Sequence, residues 1–175
     1  LDISPVTVEA GAYYQIYEGI NPSISVTLEL WHFDIYTQGV ITYGTRRNLL
    51  EESDSSTIFP QGISVVQRDD EVFFSSSTGV KFSEPTLKLT ARAEYYYNGF
   101  GSGSESVIEN GGLDLLLIQE RVTEEELLYR GEHYIAGLLE WELFNTGLTP
   151  SVTGIVGLSA PSAKVIPVLS WSPFQ

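Results

Sequence analysis

The amino-acid sequence predicts an all-β protein: an antiparallel β-sandwich or jelly-roll single barrel with one short connecting helix. Three observations predict this class. Apolar and polar residues alternate over long runs, as in half-buried strands. Turn-forming pairs such as Asn21-Pro22 and Asn98-Gly99 separate the runs. Strand patterns also follow one another without the intervening helices of a βαβ protein.

The clearest strand signal is the run TLKLTARAEYYY at residues 86–97. Strict alternation places apolar residues on one side, namely Leu87, Leu89, Ala91, Ala93 and Tyr95. A strand of this length would span about 40 Å. It is therefore predicted to run through the body of the fold.

Two further long strands are predicted at 24–36 and 133–145. In the first, the apolar positions change phase at Trp31, which indicates either a β-bulge or a strand that passes from one burial environment to another. In the second, Ile135, Leu139 and Trp141 stay in phase. Shorter apolar runs predict strands at 13–17, 40–43, 63–67, 72–76, 113–119, 152–158 and 163–169.

The connecting segments carry their own signals. ISVVQRDDEVFFSS, residues 63–76, predicts a hairpin that turns at 68–70, and the polar stretch 44–62 predicts a long loop. TEEELLYRG predicts a helix at about 123–130, with Thr123 as N-cap and Glu126 completing a capping box.

One domain is expected over residues 1–175, with possible extended arms at 1–12 and 160–175. The arms are expected because both ends are punctuated by proline, and Pro167 interrupts the hydrogen bonding of a simple strand. The apolar sides of the strands are expected to form the core. Its predicted members are Leu28, Leu30, Leu87, Leu89, Ala91, Leu115, Leu117, Ile135, Leu139 and Trp141.

The composition excludes several classes of function. The chain carries 23 acidic and 9 basic residues, a net charge of −14, so binding to nucleic-acid phosphates is not expected. It has no cysteine, which excludes disulfides and thiol nucleophiles. No apolar run approaches the ~18 residues of a membrane-spanning helix, so a soluble or peripheral protein is expected.

The stretch EYYYNGFGSGSES, residues 94–106, resembles a phosphate loop only superficially. Its glycines miss the dinucleotide spacing, and a strand-and-turn pattern follows where a helix is needed. A turn after a strand explains the glycines. Alternation places Tyr95 and Tyr97 toward the core and Tyr96 outward, so Tyr96 is a candidate for a sugar-stacking platform.

The remaining polar groups do not form a catalytic or metal site. Glu140 and Glu142 would share a face about 7 Å apart, but such neighbours usually mark a solvated strand. His32, Asp34 and His133 are too few for a zinc site, and residues 69–71 lack calcium-loop spacing. We therefore expect no enzyme activity, no cofactor and no metal.

An acidic, cysteine-free domain with long strands such as TLKLTARAEYYYNG and EHYIAGLLEWELFN resembles single jelly-roll capsid proteins. It is most similar in character to the small major capsid protein of tailless, internal-membrane-containing bacteriophages of thermophilic bacteria. The resemblance covers most of residues 13–170 and rests on overall character, without a diagnostic motif.

The resemblance implies a virion structural protein, a coat subunit that assembles with itself and a second capsid protein into an icosahedral shell. The subunit is expected to be a homodimer or larger and to lie against an internal membrane without insertion. Interface residues are predicted in the arms and at a basic pair: Val6, Val8, Trp171, Phe174, Arg46 and Arg47. The alternative is an extracellular carbohydrate-binding or other ligand-binding β-sandwich module.

Overall fold

The computed structural model describes residues 6–15, 19–53, 62–104, 107, 116, 118, 131–143, 146–159 and 162–172. The predicted all-β, antiparallel class is confirmed. The described strands are β1 (Val6–Gln15), β2 (Gly19–Leu30), β3 (Phe33–Glu52), β4 (Ile63–Glu84), β5 (Leu89–Tyr97), β6 (His133–Trp141), β7 (Leu148–Gly157) and β8 (Ser162–Trp171).

The eight strands form one sheet in the order of the chain, β1 to β8. Each strand pairs antiparallel with the next one in sequence. A jelly roll requires neighbours that are not consecutive in sequence, and the pairings among the described strands contain none. In the described sheet, β1 and β8 are therefore the two edges.

The strand predicted at 24–36 is in fact a hairpin. β2 ends at Leu30, β3 begins at Phe33, and Trp31 and His32 form the turn between them. Trp31 has a φ of 55°, the left-handed conformation that two-residue hairpin turns require. The phase change at Trp31 therefore marks a turn and not a bulge. Trp-His lacks the usual turn residues, so residue type alone does not indicate a turn at this point.

The loop predicted at 44–62 is wrong over 44–52, and the turn predicted at 68–70 is also wrong; residues 54–61 lie outside the described part. β3 continues through Glu52, and residues 68–70 lie inside the unbroken strand β4. The polar stretch stays extended because Arg68 forms ion pairs with Glu71 at 2.5 Å and with Glu51 on β3. Register shifts between Tyr43 and Leu49 absorb the irregularity.

The other boundaries differ less from expectation. β5 and β6 match the runs predicted at 86–97 and 133–145, each shortened at its turn. Where the structure describes the expected arms, their residues lie in the edge strands β1 and β8. β8 pairs with β7 through Pro167, so the interruption expected at this residue is not found. The predicted helix at 123–130 lies outside the described residues. Leu116 and Ile118 have helical backbone, so the strand predicted at 113–119 is wrong there.

The buried hydrophobic residues are not the ones predicted. In the described part of the chain they are Ile63, Phe73, Val107 and Leu116. Ile63 and Leu116 pack with Leu50 and Val65 at the far end of the β3–β4 hairpin. The small core therefore sits at one end of the sheet.

The predicted core residues are exposed or only partly buried. Leu87, Ile135, Leu139 and Trp141 are exposed; Leu28, Leu30, Leu89 and Ala91 are only partly buried. Leu115 and Leu117 lie outside the described residues. The prediction failed because, within the described structure, no second layer packs on the apolar side of these strands.

Candidate interaction surface

The strand register collects the apolar side chains on one side of the sheet. Val6 lies opposite Leu28, Leu28 opposite Ile35, and Ile35 opposite Val80. The same row continues through β5 to β8 and ends at Val165. Residues two positions away share this side. We call it the apolar face; its larger aliphatic members include Val6, Val8, Ile24, Val26, Leu28, Ile35, Ile41, Val80, Ile135, Leu139, Val152, Val156, Val165 and Leu169.

This face is not covered by other described parts of the chain. Even on the central strands, Ile35 is 42% and Leu139 47% exposed. A contiguous apolar surface of this extent marks an interaction site.

Charged side chains are confined to the ends of the apolar face. Glu84 lies near one end of the face and His133 near the other. Beyond Val72, where the register with β3 shifts, β4 continues with Asp70 and Arg68. The rows between Glu84 and His133 contain no Asp, Glu, Lys or Arg. The surface is therefore an uncharged band.

Aromatic residues border the band on both sides. One border lies beside the turn at Trp31 and consists of Phe33, Phe82, Trp141 and Trp171. The other includes Tyr14, Tyr43 and Tyr97. Phe33 and Tyr43 lie on one strand, about 33 Å apart along it. For a strand tilted by ~40°, this corresponds to a band about 25 Å tall.

The opposite side of the sheet carries a row of charged side chains, together with the aliphatic Leu138, Ile155, Ile166 and Val168 on β6 to β8. Glu29, Asp34, Lys81 and Arg92 follow one another across β2, β3, β4 and β5 in a single row. The Nζ of Lys81 lies 3.3 Å from Oδ2 of Asp34. We call this side the polar face; its charged members in the paired strands also include Glu9, Glu94, Glu140 and Lys164.

A hydrogen-bonded cluster joins β3 to β5 across β4 on the polar face. The Tyr36 hydroxyl donates to Glu94 at 2.7 Å and accepts from Nε of Arg92 at 2.6 Å. Burial, followed by the hydrogen bond to Glu94, raises the pKa of Tyr36 above its usual value. Gly79 leaves room for this ring, since a Cβ there would collide with the Tyr36 hydroxyl. Sequence inspection missed the cluster; its one signal was Arg92 and Glu94 on the polar side of one strand.

The glycine-rich stretch after β5 is a turn, as predicted. Gly101 N donates to Asn98 O at 3.0 Å, and Asn98 N donates to Glu132 O at 2.7 Å. A Cβ at Gly99 would collide with the backbone of Phe74. These glycines serve close packing of the turn against β4 and the segment before β6.

The tyrosines before this turn are placed in alternation, as expected, but the side predicted to be inward is the exposed apolar face. Tyr95 is 40% exposed there, and its hydroxyl lies 2.7 Å from Nδ1 of His133. Tyr96 lies half-buried on the polar face, with its ring 6.3 Å from that of Tyr134. Its proposed role as a sugar platform stays a prediction.

The acidic and histidine candidates are placed far apart or in ion pairs. Glu142 binds Lys88 at 2.5 Å, and His32 lies 3.6 Å from Glu84 at the turn end of the sheet. His133 stands at the opposite border of the band. No group of three or more metal-ligating side chains occurs among the described residues.

Three of the predicted interface residues, Val6, Val8 and Trp171, lie on the edge strands. Val6 and Val8 on β1 are 54% and 61% exposed, and Trp171 on β8 is 70% exposed. The backbone of Arg46 and Arg47 belongs to β3, and their side chains lie outside the described part. Phe174 also lies outside it.

Comparison with known proteins finds no family model, curated protein or solved structure that matches this chain. Among the described residues, no helix has the length and apolar character needed to cross a membrane.

Proposed function

We propose that this chain is a membrane-embedded sheet, whose apolar face contacts lipid acyl chains and whose polar face turns toward a polar interior. The supporting observation is the uncharged band bordered by aromatic residues. Tyr and Trp favour the membrane–water boundary, and aliphatic residues favour the hydrocarbon between its two boundaries. This proposal departs from the expectation of a protein apposed to a membrane without insertion.

The strand lengths support the same proposal. A strand tilted by ~45° crosses the hydrocarbon layer with about 9–11 residues. β5 and β6 have 9 residues and β1, β7 and β8 have 10. β3 and β4, with 20 and 22 residues, continue beyond the band.

The connections also differ between the two borders. Beside Phe33, Phe82 and Trp141 the strands are joined by short segments: 31–32, 85–88 and 142–147. At the other border the strands are joined by 16–18, 53–62, 98–132 and 158–161, so two of its four connections are long. Short turns on one side and longer connections on the other are typical of antiparallel sheets that span a membrane. The two long connections support the proposal, because both belong to the same border.

Substitution of neighbouring residues on β7 tests the proposal. Val152 lies on the apolar face and Thr153 on the polar face. Arginine in the lipid-facing band costs about 2–4 kcal/mol at mid-depth. Val152→Arg should therefore lower insertion into phospholipid vesicles by about 10²-fold, and Thr153→Arg should leave insertion near that of the unchanged chain. Insertion is measured by flotation and by quenching with brominated lipids. Equal insertion of both variants contradicts the proposal.

Assembly into a virion shell stays a second proposal. Its support is the all-β class and the exposure of Val6, Val8 and Trp171 on the two edge strands. Electron microscopy of the lipid-free protein distinguishes the two: closed particles of uniform size favour the shell, and recovery only with vesicles favours the membrane sheet.

A further inference from the structure

The outer edges of β1 and β8 have no strand partner in the described sheet. An unpaired strand edge in hydrocarbon leaves backbone N–H and C=O groups without hydrogen bonds, each at a cost of several kcal/mol. A membrane-embedded sheet of this kind must therefore gain a partner at both edges. The direction of the two strands restricts what that partner is.

β1 and β8 run in opposite directions, because the sheet contains an even number of consecutive antiparallel strands. The register places Thr7 of β1 and Lys164 of β8 in one continuous row across the polar face. If β8 of one copy pairs with β1 of the next, the new pair is antiparallel and the apolar face continues from Val165 to Val6 without interruption.

Pairing of the same edge in two copies, such as β1 with β1, gives the copies opposite orientations in the membrane. Two copies joined β1 to β1 by a two-fold axis normal to the sheet keep their apolar faces together but exchange their ends. The border that contains Trp141 would then lie on opposite sides of the membrane in the two copies. Pairing of β8 with β1 keeps both the face and the orientation.

We propose that copies of this chain join head to tail, with β8 of one copy hydrogen-bonded to β1 of the next, into a closed ring of strands around the polar face. This inference rests on the proposed membrane-embedded function. Two copies supply two times eight strands, and closed sheets of about 16 strands surround an aqueous channel. The row of Glu29, Asp34, Lys81 and Arg92 would line that channel.

Cysteine cross-linking tests this pairing, since the chain has no native cysteine. Thr7→Cys and Lys164→Cys proteins are reconstituted together in vesicles and treated with bifunctional maleimides of several lengths. The expected result is a shift from the 19.4 kDa monomer band to a dimer in the mixture, without dimer in either protein alone. The matched control combines Thr7→Cys with Ser77→Cys, which lies on the polar face of the interior strand β4, and should remain monomeric.

Each of the remaining outcomes contradicts either the head-to-tail pairing or the membrane function on which it rests. A dimer from Thr7→Cys alone indicates β1–β1 pairing and overturns the proposal. An internal cross-link in the Thr7→Cys/Lys164→Cys double variant, at monomer mass, indicates closure within one chain and also overturns it. Absence of cross-links in protein that floats with vesicles rejects head-to-tail pairing while the membrane function stands. Failure to float rejects the membrane function itself.

Discussion

The Tyr36 hydroxyl on β3 donates a 2.7 Å hydrogen bond to Glu94 on β5, although β4 lies between these two strands. The ring crosses β4 at Gly79, where the absence of a Cβ leaves space. Arg92 stands 5.1 Å from the centre of the same ring and completes the cluster. One side chain thus links β3 to β5 across β4 in the middle of the polar face.

Removal of the Tyr36 hydroxyl should weaken this linkage. Tyr36→Phe loses one bond to Glu94 and one from Arg92, and we expect the free energy of unfolding in detergent to fall by about 1–2 kcal/mol. Denaturant titration measures the change. Tyr14→Phe is the control, because Tyr14 is 71% exposed on edge strand β1. Equal losses in both variants would mean that the cluster contributes nothing specific.

The same hydroxyl predicts a dependence on alkaline pH. The pKa of Tyr36 is raised above 10.0 by burial and by the bond to Glu94, so the folded state favours the neutral phenol. This contribution is complete below pH ~10, the unfolded value, and is lost as pH rises through the folded value. Unfolding curves from pH 9 to 11 should therefore show a smaller loss of stability in Tyr36→Phe than in the unchanged chain. Parallel losses would refute the assignment.

Two glycines on interior strands should respond differently to alanine. A Cβ at Gly79 would collide with the Tyr36 hydroxyl and lie 2.9 Å from Ala93 O, whereas one at Gly154 meets nothing within 4 Å. We expect Gly79→Ala to cost about 1–3 kcal/mol through overpacking and Gly154→Ala to be neutral or slightly stabilising. Thermal unfolding in detergent compares them. A harmless Gly79→Ala would show that the ring moves aside freely.

Substitution of Trp31 in the β2–β3 turn should raise the stability of the fold and lower its affinity for membranes. Trp31 has a φ of 55°, a strained conformation for a bulky residue, and its side chain is 75% exposed. Trp31→Asn should raise stability in detergent by about 1 kcal/mol and reduce vesicle binding, because an aromatic border residue is lost. Lys88→Asn is the control: Lys88 has a φ of 51° in a turn at the same border but offers no aromatic ring. Equal effects on vesicle binding would contradict the role of Trp31.

The three tryptophans should report a shallow position in the bilayer. Trp31, Trp141 and Trp171 all lie at the border with the short turns. Their fluorescence should be quenched more by headgroup-proximal nitroxides than by nitroxides near the chain ends. In a variant with these residues changed to Phe, Val80→Trp places one reporter inside the band and should reverse the order. Stronger quenching of the native tryptophans by nitroxides near the chain ends would contradict the proposed membrane boundary.

Alternation along the chain was enough to predict the strand class and the positions of β5 and β6. It was not enough for the β2–β3 hairpin, because Trp31 and His32 turn the chain without glycine, asparagine or proline. It also failed at residues 68–70, where the ion pairs of Arg68 keep an acidic stretch extended. Turn chemistry read from residue type alone does not include such compensating contacts.

The apolar surface was only half predictable. Period-2 alternation correctly placed Leu139 and Ile135 on one side of β6. The same alternation arises whether that side packs against protein or against lipid, so alternation alone does not say what covers these residues. The uncharged band becomes visible only in the register of all eight strands.

The consecutive strand order also determines how the sheet can form. Most strand pairs, such as β2–β3 and β7–β8, are joined by short connections, so the two strands can pair locally with little loss of chain entropy. β5 and β6 are the exception, because Tyr97 and His133 are neighbours in the sheet but far apart in sequence. Closing that longer loop costs more entropy. The chain should therefore fold as two preassembled halves, β1–β5 and β6–β8, whose docking along Tyr95 and Ile135 is the late event.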